Sequence, residues 1–159
     1  MATLPENLIA TAEALVSFKP PPGSAGLRRA VSTAYYALFS RLAVLCAGRP
    51  ARSEPTSDSF KAIFRAIEHA QARKILAAHA EFSEPIGDAF ERLQEVRHWA
   101  DYSLDTHPES DKADRRKIFS RAEAAEFVEL SRQTIATINA LSNASKQRLA
   151  VVLVARARR

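Results

Sequence analysis

Leu27, Val31, Ala34, Tyr35, Leu38, Leu42 and Leu45 recur at helical intervals along one stretch of the chain. They mark one continuous face of an α-helix running for about five turns. A face of that length must be covered by other elements, so this helix anticipates a helical core. Gly48 and Pro50 end it. Before it, Lys19-Pro20-Pro21-Pro22-Gly23 closes an earlier helix, which Thr3-Leu4-Pro5-Glu6 opens as a capping box and Leu8, Ala12, Leu15 and Val16 line. The chain has four glycines and eight prolines, and every proline lies outside the interior of a periodic segment.

The remaining periodic segments extend this pattern. Residues 49–58 read as a polar loop. A third helix starts near Ser59, with Phe60, Ile63, Phe64 and Ile67 on its face and Ile75 and Leu76 extending it. Ser83-Glu84-Pro85 begins a fourth, with Pro85 tolerated in the first turn. Residues 105–119 read as a loop of mixed charge. Ser120 and Glu123 form a second capping box, ahead of a fifth helix faced by Ala124, Phe127, Val128, Ile135, Ile138 and Leu141. The apolar run from Leu149 to Ala155 fits a strand, a helix extension or an interface. No repeat is present. The expected fold is all-α, an antiparallel helical bundle over residues 1–143 followed by a basic tail over 144–159.

With 159 residues the chain suits one domain with a full core. Its net charge of +5 is unevenly spread. Lys146, Arg148, Arg156, Arg158 and Arg159 fall in the last 14 residues, which hold no acid, and the rest is balanced at 18 basic and 18 acidic side chains. Such a tail either contacts phosphates or is a solvated end. Cys46, the single cysteine, rules out an internal disulfide and suits a reducing compartment. The start, Met1 to Asn7, lacks the basic-then-apolar pattern of a secretory signal. No uninterrupted apolar run reaches the roughly 18 residues of a membrane span. A cytoplasmic protein without a membrane partner is expected.

The fourth helix carries the chemistry. Ile86, Phe90, Leu93, Arg97, Ala100 and Leu104 form one stripe with a permanent charge in its middle. An ionised group is not buried without a partner. Arg97 therefore meets an acid, lies in a subunit interface or lines a site. Asp101 stands one turn above it and can pair with it. Tyr102 stands one turn above His98, with Trp99 close by. On the second helix Arg28, Arg29, Ser32 and Tyr36 share a side, and Tyr35 faces the core. Tyr36 either bonds into the fourth-helix site or packs with its hydroxyl in water. The sequence has no Gly-rich phosphate loop, no His-Glu-x-x-His and no Cys-x-x-Cys. His69, His79, His98 and His107 lack metal-ligand spacing. Arg65 and His69 read as a surface pair, and Cys46 as a core residue.

Three segments, in order, resemble the HEPN (higher eukaryotes and prokaryotes nucleotide-binding) superfamily, in its short stand-alone prokaryotic form. Leu27-Arg-Arg-Ala-Val-Ser-Thr-Ala-Tyr-Tyr-Ala-Leu-Phe39 is similar to the family's first long helix. Phe64-Arg-Ala-Ile-Glu-His-Ala-Gln-Ala-Arg-Lys74 is similar to the middle segment of one subgroup. Leu93-Gln-Glu-Val-Arg-His-Trp-Ala-Asp-Tyr102 is similar to that subgroup's Arg-x-x-Ala-Asp-Tyr helix. The resemblance spans residues 24–142. It implies a bundle of four to five helices that forms a homodimer through the helices bearing the arginine motif. Many members are metal-independent RNases in which arginine, four to six residues, then histidine, often with tyrosine after it, meet across the dimer. In that chemistry arginine stabilises the phosphorane charge and histidine moves the proton.

Here the histidine position of that motif is not filled. With four to six residues intervening after Arg97, the chain reaches Tyr102, Ser103 and Leu104. His98 projects about 100° away from Arg97 on a helix, and Asp101 takes roughly the place of the histidine. The leading expectation is a homodimeric module with a degenerate RNase motif that binds RNA or a nucleotide through Arg97, Tyr102, Tyr36, Arg28 and Arg29. A toxin–antitoxin or defence setting follows from the resemblance, with a nucleotidyltransferase-like antitoxin as partner and no cofactor or metal. One alternative is an active endoribonuclease with Arg97, His98 and Asp101 as catalytic residues. Another is a structural adaptor.

Overall fold

In the computed structural model, residues 2–19, 23–49, 57–103 and 119–155 are described. Leu104, His107 and most of the 105–119 loop lie outside them, as do residues 50–56 and the last three arginines. The described residues form an all-α bundle without a strand. The helices are α1 (Leu4–Ser17), α2 (Ser24–Gly48), α3 (Asp58–Ala66), α4 (His69–Ala78), a short α5 (Ala80–Phe82), α6 (Asp88–Tyr102), α7 (Arg121–Ala140) and α8 (Asn143–Ala155). A π-helical turn, Ser83–Gly87, joins α5 to α6.

α2 is the spine, packed by α1, α3, α6, α7 and α8. Its buried positions alternate large and small: Leu27, Tyr35, Leu38 and Leu42 stand among Ala30, Ala34, Ala37 and Ala43. The alanines let neighbouring backbones approach, and Ser131 Oγ of α7 donates to the Ala34 carbonyl at 2.7 Å inside the core. By composition α2 is long and apolar enough to cross a bilayer, yet 78% of its most apolar window is buried within the bundle. That is the pattern of a core helix.

Both capping boxes close as the sequence anticipates. Thr3 N donates to Glu6 Oε2 at 2.7 Å, and Ser120 N donates to Glu123 Oε2 at 2.6 Å. Three expectations need correction. The third helix is two helices, because Ile67 and Glu68 are extended and the chain restarts at His69. Tertiary contacts outweigh helix continuity there: Ile67 is buried, and His69 reaches Tyr35. Ser57, two residues before Ser59, caps α3 by accepting from Phe60 N.

The second correction concerns Ser83-Glu84-Pro85, which does not begin α6. It lies in the π turn, where Asp88 N bonds back to the Ser83 carbonyl. Pro85 supplies no N–H for a regular α-helical ladder, and the wider turn accommodates it. The third concerns the C-terminal region. Residues 143–155 are the helix α8, with Leu149, Ala150 and Leu153 buried, so the body of the fold runs past residue 143. Two basic side chains of the supposed tail are tied down: Arg148 pairs with Glu81 at 2.7 Å, and Lys146 Nζ donates to the Asn139 carbonyl at 2.6 Å.

Candidate functional site

The site lies where α2, α4 and α6 meet. Of the predicted stripe, Ile86 in the π turn and Phe90, Leu93 and Ala100 on α6 are buried. Arg97 falls in line with them, and its side chain keeps 19% of its exposure. The helix thus delivers the guanidinium against α2. Arg73 of α4 pairs with Glu91 and ties α4 to the same helix.

Among the described residues, two polar contacts hold Arg97. Its Nη2 donates to the Tyr36 hydroxyl at 2.7 Å. Its Nε lies 2.9 Å from Asp101 Oδ2, yet that buried nitrogen makes no directed hydrogen bond among the described residues. The Asp101 contact is therefore coulombic and poorly aligned, weaker than a bidentate fork. All three tyrosines of the chain surround the guanidinium carbon, with ring centroids at 5.7 Å (Tyr35), 5.3 Å (Tyr36) and 5.6 Å (Tyr102). Burial opposes the charge, but the Tyr36 hydroxyl, Asp101 and Tyr102 outweigh it, and the arginine pKa moves up. The Tyr36 oxygen accepts from Arg97, so its own proton is left to serve another acceptor.

Sequence reasoning passed over His69. It does not pair with Arg65, whose side chain is exposed. His69 opens α4, and its Nδ1 sits 2.5 Å from the Tyr35 hydroxyl. Its ring stacks on Phe39 at 3.8 Å between centroids and meets the edge of Tyr36 at 6.0 Å. Burial, then the Arg97 charge, hold the His69 pKa below its ordinary value. Tyr35 is fully buried, and burial drives its phenol pKa far up, so the hydroxyl stays protonated. The signal available in the sequence was Tyr35 itself, since a tyrosine on a core face needs a polar partner for its hydroxyl.

Of the residues anticipated from sequence, Arg97, Tyr36, Asp101 and Tyr102 come together. Tyr102 keeps 66% of its surface exposed and so presents a ring to solvent beside the guanidinium. Arg28 plays a different part: it donates to the carbonyls of Ser103 (2.6 Å) and Ala100 (3.4 Å), capping the end of α6. Arg29 is exposed. His98 is exposed and lies against Tyr102, with ring centroids 5.2 Å apart. Cys46 is buried, as expected, and its thiol pKa is pushed up to about 12. No group of three or more His, Cys, Asp or Glu side chains among the described residues is gathered as a metal ligand set requires.

No protein-family model matches this chain, and neither the curated proteins nor the solved structures give a significant match. Chemically, the arrangement offers a permanent cation, hydroxyl and imidazole groups and an exposed aromatic face. Those are the elements of a site for an anion attached to a planar group.

Proposed function

We propose that this chain is a HEPN-like module, acting as a homodimer, that binds RNA or a nucleotide with the phosphate on Arg97. The observation that carries the reading is the state of Arg97. Its one directed hydrogen bond among the described residues goes to a neutral hydroxyl, and its carboxylate partner is misaligned. A phosphate oxygen offers what Asp101 does not, a charged acceptor free to align with the guanidinium. The Tyr36 hydroxyl can donate to the same phosphate, and the Tyr102 ring gives a base a surface to stack on.

In this reading the RNase motif is degenerate and the module works beside a toxin–antitoxin or defence partner such as a nucleotidyltransferase-like antitoxin. RNA cleavage by Arg97 with His98 or Asp101 has less behind it. His98 sits against Tyr102, and Asp101 is engaged by Arg97 at 2.9 Å.

The test is binding of a short single-stranded 2′-O-methyl oligoribonucleotide and of free nucleotides at low salt, wild type against Arg97→Gln. Loss of about one to two charge-assisted contacts weakens binding roughly tenfold or more. Equal affinity of the two proteins refutes the phosphate site. If Arg97→Gln only lowers thermal stability and the wild type binds neither ligand, the structural-adaptor reading takes its place.

A further inference from the structure

We infer that His69 is the second arm of the Arg97 anion site, and that binding of a phosphate there is coupled to uptake of a proton by the His69 imidazole. This rests on the phosphate reading of Arg97 and adds a proton to it. Tyr35 fixes the histidine's chemistry. Its buried hydroxyl lies 2.5 Å from Nδ1, and with that protonated hydroxyl as the donor the neutral imidazole carries its proton on Nε2. Phe39 and Tyr36 set the plane of the ring. With Nδ1 engaged by Tyr35, Nε2 is the nitrogen that can meet a ligand.

Charge balance supplies the coupling. Among the described residues, the titratable groups against His69 are Tyr35 and Tyr36 from α2 and Arg97 from α6, while on its own segment Glu68 is exposed and Arg73, one turn on, pairs with Glu91. Arg97 and Asp101 balance each other's charge at 2.9 Å, and burial and then Arg97 disfavour an imidazolium. A phosphodiester entering this half-buried cluster adds one uncompensated negative charge. A proton taken from solvent onto Nδ1 restores neutrality and makes Nε2–H a charged donor to the phosphate. The Tyr35 hydroxyl then turns its own proton away and accepts from Nδ1–H, a role open to it because a hydroxyl can donate or accept.

The ligand chemistry is a tetrahedral oxyanion, either the monoanionic phosphodiester of a nucleic-acid backbone or a free anion. The experiment uses the full chain, a 2′-O-methyl oligoribonucleotide and inorganic sulfate, neither of which titrates from about pH 5.5 to about pH 8, where histidine does. Affinity is measured across that range at constant ionic strength for wild type, His69→Gln and Arg97→Gln. The His69 imidazole, assigned through its contacts to Phe39 and Tyr36, is titrated by NMR in wild type, so the result does not depend on the variants folding. Wild-type affinity for the oligonucleotide should rise toward low pH, by up to about tenfold for each unit by which the ligand raises the imidazole pKa. His69→Gln should bind with a flat profile. A pKa raised by sulfate but not by the oligonucleotide keeps the inference and assigns a free anion. An unmoved imidazole pKa at saturating ligand, or the same pH slope in His69→Gln, overturns it, while Arg97-dependent binding still stands. Affinity that Arg97→Gln leaves unchanged, or no binding at all, overturns the phosphate reading along with it.

Discussion

Arg97 Nη2 donates to the Tyr36 hydroxyl at 2.7 Å, and this one bond fastens the charged position of α6 to the helix that forms the spine of the bundle. It links residues 61 positions apart in the chain and sets where the guanidinium points. Tyr36→Phe removes the acceptor and keeps the ring. Hydrogen bonds to charged groups contribute about 1.5–3 kcal/mol, and Arg97 is buried enough for a loss in that range to register in urea unfolding. A change below about 0.5 kcal/mol, within the range of a neutral surface substitution, would mean that the guanidinium finds an equivalent acceptor. The same variant should weaken oligonucleotide binding, since it also deletes a donor to phosphate.

Arg28 acts at a distance from the anion. Its guanidinium bonds the Ser103 and Ala100 carbonyls at the C-terminal end of α6, where a helix runs out of intrahelical donors. A cation there also complements the helix dipole, worth about 0.3–1 kcal/mol. Arg28→Ala should fray the last turn of α6, which carries Asp101 and Tyr102. Faster amide hydrogen exchange at Tyr102 and Ser103, with the protection of Leu93 unchanged, is the expected signature. Unchanged exchange at both ends would show that the turn holds without the cap.

Stability should fall in mild acid, and His69 sets the window. Its folded pKa lies below the ordinary 6.5 because of burial and then Arg97. Between 6.5 and the lower folded value the unfolded chain binds more protons, so unfolding becomes easier as pH drops through that interval and levels off below it. Well above 6.5 the residue contributes no slope. Thermal unfolding from about pH 8 to about pH 5.5 should show a steeper loss for wild type than for His69→Gln. Parallel curves would place the acid sensitivity elsewhere.

The legible parts of this fold were those set by local chemistry. Capping boxes at Thr3 and Ser120 hold because both partners sit three residues apart. The α2 face is legible because its burial runs the length of one helix. His69 was not legible. Its partner Tyr35 is 34 residues away, and only the break at Ile67 and Glu68 turns it toward the core. The π turn at Pro85 and the burial of α8 likewise depend on contacts made after the chain has folded. At Arg97 the apolar stripe signalled an unusual environment, and Asp101 is the partner one turn away. The Tyr36 bond, by contrast, required α2 and α6 to be neighbours.

Tyr102 and His98 separate the binding surface from its surroundings. Both are exposed, and their rings lie 5.2 Å apart, but only Tyr102 has its ring over the Arg97 guanidinium. If a base stacks at the site, it does so on Tyr102, and a stacked base is worth about 1–3 kcal/mol. Tyr102→Ala should therefore weaken oligonucleotide binding by roughly fivefold to a hundredfold. His98→Ala should stay within about twofold, because an exposed neighbour contributes only through its contact with Tyr102. Neither variant should lower Tm appreciably, since both side chains are largely in solvent. Fluorescence anisotropy with a labelled oligonucleotide reads both. A larger loss for His98→Ala than for Tyr102→Ala would move the contact surface to the other face of α6 and return His98 to consideration as the group that meets the ligand.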